Sequence, residues 1–188
     1  MTESACLPRR SLLRGAVAIA ITAIAPTLTA GPKSEALPPQ IGDELWFPSW
    51  ASEPRAVGLV DIPPGPPISV FPYDPKTQVL KERSRLNQIL LVCADSTTRD
   101  SAPSDAPAGS ILAYSGICTH AACAVSEWNA ETRRMVCPCH GSEFDPFNRG
   151  TVANGPARRA LPALPITLVG DKLIVAGPFS AKVGAKKA

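Results

Sequence analysis

The 188-residue chain has little charge imbalance: 19 lysines and arginines face 16 aspartates and glutamates, a formal net charge of +3. That excess is too weak to imply a nucleic-acid partner. The chain also lacks an amphipathic stretch of convincing helical length and any internal repeat. Its 21 prolines argue further against a long-helix architecture, since each interior proline costs a helix about 3 kcal/mol. Histidine is scarce, with two in the whole chain, and both lie close to cysteines, of which there are six. What remains is an apolar fraction of 45%, ordinary for a globular core, and length for one domain with a flexible extension.

Residues 1–30 read as a targeting segment, either a twin-arginine signal or a membrane anchor. Arg9, Arg10, Ser11, Leu12 and Leu13 look like the twin-arginine signature, and an apolar run from Gly15 to Ala25 follows before Pro26. That route carries proteins already folded, which suits a cofactor inserted in the cytoplasm. It implies the periplasmic side of a bacterial inner membrane. Gly15 to Ala30 is 16 residues, short of the roughly 20 that cross a hydrocarbon core. Counting from Leu12 gives 19 but places Arg14 inside the span. Against cleavage, Pro26 directly follows the peptidase-like Ala23–Ile24–Ala25, and a cut after Ala30 puts the bulkier Leu28 at the third position upstream. An anchored and a cleaved form both stay open. Cys6 has no lipobox around it and reads as incidental.

Residues 31–55 form a proline-rich linker or arm with Pro32, Pro38, Pro39, Pro48 and Pro54. Trp46, Phe47 and Trp50 are its sticky points, which either pin the arm to the body or meet a partner. From 56 to 180 the chain breaks into short β-branched runs between turn residues, as expected of a mostly antiparallel, all-β domain. The runs are Val57–Val60, Ile68–Phe71, Ile89–Val92, Ile111–Tyr114, Arg134–Val136, Ile166–Val169 and Lys172–Val175. Gly170–Asp171 between the last two is a two-residue hairpin signal. Ser96 to Gly109 reads as a surface loop, Trp128 as loop packing, and Cys93 as a buried core thiol. Residues 181–188 form a basic tail with Lys182, Lys186 and Lys187, expected to be solvated.

The chemistry lies in two clusters. Cys118–Thr119–His120 is followed after 16 residues by Cys137–Pro138–Cys139–His140. Each half supplies one thiolate and one imidazole at tight spacing, with Cys123 and Cys139 as extra cysteines. This set suits two irons, one held by two sulfurs and the other by two nitrogens. It also suits a structural tetrahedral zinc. In the first case, replacing two anionic thiolates by neutral imidazoles makes an added electron easier to accept. Such clusters sit at about −150 to +300 mV, against about −400 mV for all-cysteine plant-type ferredoxins.

Cys118–Thr119–His120–Ala121–Ala122–Cys123 with Cys137–Pro138–Cys139–His140–Gly141–Ser142 resembles the Rieske iron–sulfur proteins of the disulfide-containing type. The resemblance implies an antiparallel β-sandwich with an inserted cluster-binding subdomain at about 111–160, and one 2Fe-2S cluster. Cys118 and Cys137 would hold the inner iron, and His120 and His140 the outer, more exposed one. Cys123 and Cys139 would form a disulfide clamping the two loops. The hydroxyl of Ser142 would bond a bridging sulfide, and Gly155–Pro156–Ala157 would begin a proline loop over the cluster. On this resemblance, reduction would make the outer iron less electron-withdrawing and its imidazoles more basic, so electron and proton transfer would be coupled at His140 and His120.

Three residues depart from the quinol-oxidising cytochrome bc members of that family. Phe144 stands where they carry a tyrosine that bonds a ligand sulfur. A lost hydrogen bond of about 0.5–1.5 kcal/mol lowers a one-electron potential by roughly 20–65 mV. Ala121 replaces a docking leucine, and Arg158 stands where the proline loop closes with another proline. Phe144 and Ala121 look more like the small subunit of arsenite oxidase, whereas Gly141–Ser142 looks like the bc type. The foremost expectation is an exported electron-transfer subunit of a quinol–cytochrome c reductase, without turnover on its own. Its donor would be a membrane or large catalytic subunit, with a quinol among the candidates, and its acceptor a c-type cytochrome or similar carrier. An arsenite-oxidase-like small subunit, a stand-alone exported carrier and, remotely, a zinc module are the alternatives. A complete Rieske oxygenase is excluded, because its mononuclear iron needs histidines this chain does not have. Arg158 and Arg159, near the expected cluster tip, are candidates for docking.

Overall fold

The computed structural model describes residues 34–51, 53–94 and 111–185. The targeting segment with Cys6, Arg9 and Arg10, the Ser96–Gly109 loop, and Lys186 and Lys187 lie outside them. The described chain is almost entirely antiparallel β-structure, as its short β-branched runs lead one to expect. Eleven strands occur: β1 (Glu44–Trp46), β2 (Ile68–Asp74), β3 (Val79–Leu80), β4 (Ile89–Cys93), β5 (Ile111–Ser115), β6 (Glu127–Asn129), β7 (Arg134–Cys137), β8 (Ser142–Asp145), β9 (Thr151–Asn154), β10 (Ile166–Val169) and β11 (Lys172–Val175). The larger sheet runs β10-β11-β1-β2-β4-β5 with β3 paired to β2, and the smaller runs β6-β7-β8-β9.

Strands β4 and β5 are buried along their whole length, because each of their faces meets a different core. Ile89, Leu91, Ile111 and Ala113 point into one core, shared with Leu45, Val70 and Leu173. Leu90, Val92, Leu112 and Tyr114 point into the other, shared with Met135 and Phe144 of the small sheet. The two layers are also tied by polar contact: the Tyr114 hydroxyl donates to the Pro146 carbonyl at 2.7 Å. Trp128, on β6, is half-buried against this second core. Cys93 is buried on β4 as expected, although it is disulfide-bonded rather than a free thiol.

Two parts of the chain differ from their sequence pattern. Val57–Val60 forms no strand. The Asp61 carboxylate accepts the Gly58 N–H at 2.9 Å and curls the chain into a 3-10 turn over Leu59–Asp61. Arg55 completes this corner with a two-pronged pair to Asp61 at 2.7 and 2.8 Å. Conversely, Glu44–Trp46 in the proline-rich segment adds a strand between β2 and β11. Its Trp46 ring stacks on Tyr73 with centroids 3.8 Å apart, Phe47 packs against the first core, and Trp50 is exposed.

Candidate metal centre

Three chain segments converge at one end of the small sheet. The first lies between β5 and β6, where Ile117 bridges to Ala124. Inside it the Cys118 N–H donates to the Cys123 carbonyl at 2.8 Å, and the Ala122 N–H to the Cys118 carbonyl at 3.1 Å. The second is the β7–β8 hairpin. Cys137 ends β7 and pairs in register with Ser142, which starts β8, and the Gly141 N–H closes the turn on the Cys137 carbonyl at 3.0 Å. The third follows β9 at Gly155.

These segments are joined pairwise. A disulfide between Cys123 and Cys139 links the first two. The Ala157 N–H donates to the Ser142 Oγ at 3.2 Å, linking the second and third. The Thr119 Oγ1 donates to the Arg159 carbonyl at 2.6 Å, linking the first and third. The third segment fits closely: a β-carbon at Gly155 would lie 2.6 Å from the Gly141 carbonyl oxygen and the Ser142 Cα. A strap from the C-terminal end adds to this. The Arg159 guanidinium donates to the carbonyls of Lys182 at 3.3 Å and Gly184 at 2.6 Å, and Gly184 packs against Ala122 and Ile117. The 182–184 backbone is therefore engaged, while the Lys182 side chain meets solvent as expected. Thr119 and this strap carry no local sequence signal.

Within this frame the donors sort by depth. The sulfurs of Cys118 and Cys137 are free of disulfide and belong to residues only 1% exposed. His120 and His140 are exposed, with ring centroids 4.7 Å apart and planes at 86°. Burial pushes the Cys137 thiol up, the adjoining Cys118 sulfur acts in the same direction, and the backbone N–H groups of Cys139 and His140 oppose it. The His120 N–H points at the Cys118 sulfur at 3.5 Å. The sulfurs of Cys123, Cys137 and Cys139 also lie within 4.8 Å of one another, but two of them share the disulfide and have no thiolate to offer. The donor set left is two buried thiols beneath two exposed imidazoles, which fits a metal group with a sulfur-held inner side and a nitrogen-held outer side. Phe144, fully buried beside this set, brings no hydroxyl.

Comparison with known proteins bears on what occupies such a set. Residues 68–165, just over half of the chain, match the family described as the Rieske [2Fe-2S] domain. The Rieske iron–sulfur subunit of the cytochrome bc1 complex of Corynebacterium diphtheriae is 49% identical over 77 residues, 40% of this chain and 19% of that protein. A putative respiratory nitrate reductase Rieske subunit of Haloferax mediterranei is 37% identical over 121 residues, 64% of this chain and 52% of that protein. The plasma-membrane Rieske protein of Synechocystis PCC 6803, a crystal structure, is 28% identical with a TM-score of 0.39, covering 58% of this chain and 86% of that one. The chain thus spans about a fifth of the length of the bc1 relative from Corynebacterium. The family match decides between a zinc ion and an iron–sulfur cluster, alternatives that the donor set alone left open. With 98 consecutive residues matched across both cysteine–histidine segments, the chain belongs to the Rieske [2Fe-2S] domain family, and its cofactor is a 2Fe-2S cluster.

Proposed function

We propose that this chain is the Rieske electron-transfer subunit of a respiratory oxidoreductase, foremost one of the bc type. The observation that carries it is the graded donor set, two buried thiols under two exposed imidazoles. A bound 2Fe-2S cluster supplies one-electron chemistry at about −150 to +300 mV. Cys118 and Cys137 would hold it from below, and His120 and His140 from the solvent side. Ser142 receives the Ala157 N–H on its oxygen, and its hydroxyl proton would be left to donate to the cluster. If the donor is a quinol, His140 would hydrogen-bond its hydroxyl, with His120 beside it. Electrons would leave to a c-type cytochrome or similar carrier. The Haloferax relative, which aligns with more of this chain than the bc1 subunit does, favours a second reading as the Rieske subunit of another kind of respiratory complex; Phe144 and Ala121 would make that an arsenite-oxidase-like small subunit. In either case residues 1–30 would deliver the folded protein through the twin-arginine route to the periplasmic side of the inner membrane. Residues 31–55 would then act as the arm joining this segment to the 56–180 domain.

The test is metal analysis of the purified protein, low-temperature EPR after dithionite reduction, and a redox titration. Iron at two per chain with a rhombic Rieske signal is expected, and zinc without iron in a protein shown to have kept its metal would overturn the reading. A midpoint near the top of the range supports a quinol donor, and a clearly lower one supports the second reading. His140→Ala is expected to abolish the cluster, and an unchanged Rieske spectrum in that variant would overturn the ligand set.

Cys123→Ser tests the disulfide. Closing a loop of about 15 residues contributes about 3 kcal/mol in the chain-entropy model, and here the loop encloses the small-sheet hairpin rather than the main core. We expect faster cluster loss on warming, read as bleaching of the visible spectrum, with a smaller change in the melting of the whole domain. Equal cluster lifetimes in variant and parent would remove the clamp role.

A further inference from the structure

We propose that the tip of this protein docks an acidic face of a protein redox partner, with Arg158 as the principal contact. The inference rests on the electron-carrier reading and adds the chemistry of the surface that the carrier meets. Beside His120 the surface opens into a depression lined by Thr119, His120, Pro156, Arg158 and Arg159. Among the described residues no carboxylate belongs to this lining, so two guanidinium charges stand together there without an acid of the described chain to offset them.

The two arginines do different work. Arg159 is held by the carbonyls of Lys182 and Gly184, which fix its position and leave its charge in place. Arg158 is exposed, and among the described residues it has no ion-pair partner. Its backbone is nevertheless fixed on both sides, through the Ala157 N–H on Ser142 and the Arg159 carbonyl under Thr119. The two acids of β8 are engaged elsewhere: Glu143 pairs with Arg134, and Asp145 caps the 3-10 turn Pro146–Asn148. The result is an exposed cation on a rigid mount beside an imidazole through which electrons would pass. Exposed charges of this kind contribute little to affinity, but they raise association rates by about 10–10³-fold toward a complementary surface. A neutral quinol gains nothing from such a field, so the charge points to a protein partner.

The test uses the full chain with its cluster. Association with an acidic bacterial c-type cytochrome is followed by stopped flow, where each cytochrome reduced takes one electron from one reduced protein molecule. Equilibrium affinity is measured in parallel by calorimetry. Salt is varied from about 0.01 M to about 1 M, which shortens the screening length from about 30 Å to about 3 Å. The wild-type association rate should fall at least about tenfold over that range. Arg158→Glu should lower the low-salt rate by about tenfold or more and converge on the wild type at high salt. Lys76→Glu makes the same charge change on the exposed β2–β3 turn and should leave most of the rate intact. Docking through Arg158 is overturned if the wild-type rate does not respond to salt, or if the two substitutions act alike. A protein whose cluster is reduced by dithionite but never passes an electron to the cytochrome at any salt would instead refute the carrier reading.

Discussion

Gly155→Ala is expected to destabilise the protein by about 2–6 kcal/mol and to strip it of most of its iron, adding about 1–3 kcal/mol of backbone strain to about 1–3 kcal/mol of overpacking. The residue sits at φ +85°, where a side chain is strained whatever the space around it. Space is also missing, because the new methyl would meet the backbone of Gly141 and Ser142 at 2.6 Å. Neither neighbour is a flexible side-chain end that could swing away. Relief would come from lifting the third segment off the β7–β8 hairpin. That movement breaks the Ala157 contact with Ser142 and draws Arg159 away from Thr119. The first and second segments would then be held by the disulfide and the Ser126 N–H on the Val136 carbonyl, without the third to close over them. Gly170→Ala is the control: its φ is +66°, but nothing lies within 4 Å of the added methyl. It should cost about 1 kcal/mol and leave iron content unchanged. Iron per chain and thermal melting measure both. Equal losses in the two variants would mean that backbone strain, not the seating of the third segment, governs cluster retention.

That contrast shows which parts of the centre could be read from the chain. The candidate cysteine and histidine ligands announce themselves because each pair lies within three residues, and metal chemistry restricts the residue types. The place of Gly155 was legible through the family resemblance, but its need for glycine was not. The reason is a tertiary approach to Gly141, 14 residues away, that leaves no trace in local pattern. Thr119 and the 182–184 strap leave no trace for the same reason, since one donates its hydroxyl to a distant backbone carbonyl and the other offers only carbonyls. The strands follow a similar division. β4 and β5 were plain because burial on both faces makes them continuous apolar runs. β8, with the sequence Ser-Glu-Phe-Asp, has little β-propensity of its own and is held as a strand by pairing with β7 and β9. Val57–Val60 had the propensity but yielded to the Asp61 cap. β1 was hidden among prolines that lie to either side of it rather than within it.

The tie between the proline-rich segment and the body offers the second large effect, and it should be separable from the metal centre. Lys81 and Asp43 are both almost fully buried, with Lys81 Nζ 2.7 and 2.9 Å from the two carboxylate oxygens. Asp43 also accepts the Gln40 N–H at 2.8 Å, while the Asn87 side-chain amide donates to the carbonyls of Leu37 and Lys81. Residues 37–43 are thus fastened to the strand β3 region through polar groups that water cannot reach. Lys81→Met keeps the apolar stem and removes the charge, leaving a buried carboxylate without its counter-ion. Breaking one partner of such a pair costs about 3–5 kcal/mol, which for a chain of this size lowers Tm by roughly 6–20 °C. Adding Asp43→Leu removes the stranded charge and should restore much of the loss, because the pair itself contributes little beyond an apolar replacement. The recovery should fall short, since the Gln40 N–H loses its acceptor. Below its melting point the single variant should retain a full complement of iron, as none of the three segments at the metal centre contains either residue. Thermal melts of the four members of this cycle, with iron content measured beside them, give the coupling directly. A double variant no more stable than Lys81→Met would show that the pair is itself a net source of stability. Iron loss in step with Lys81→Met at low temperature would show that the arm and the metal centre unfold as one unit.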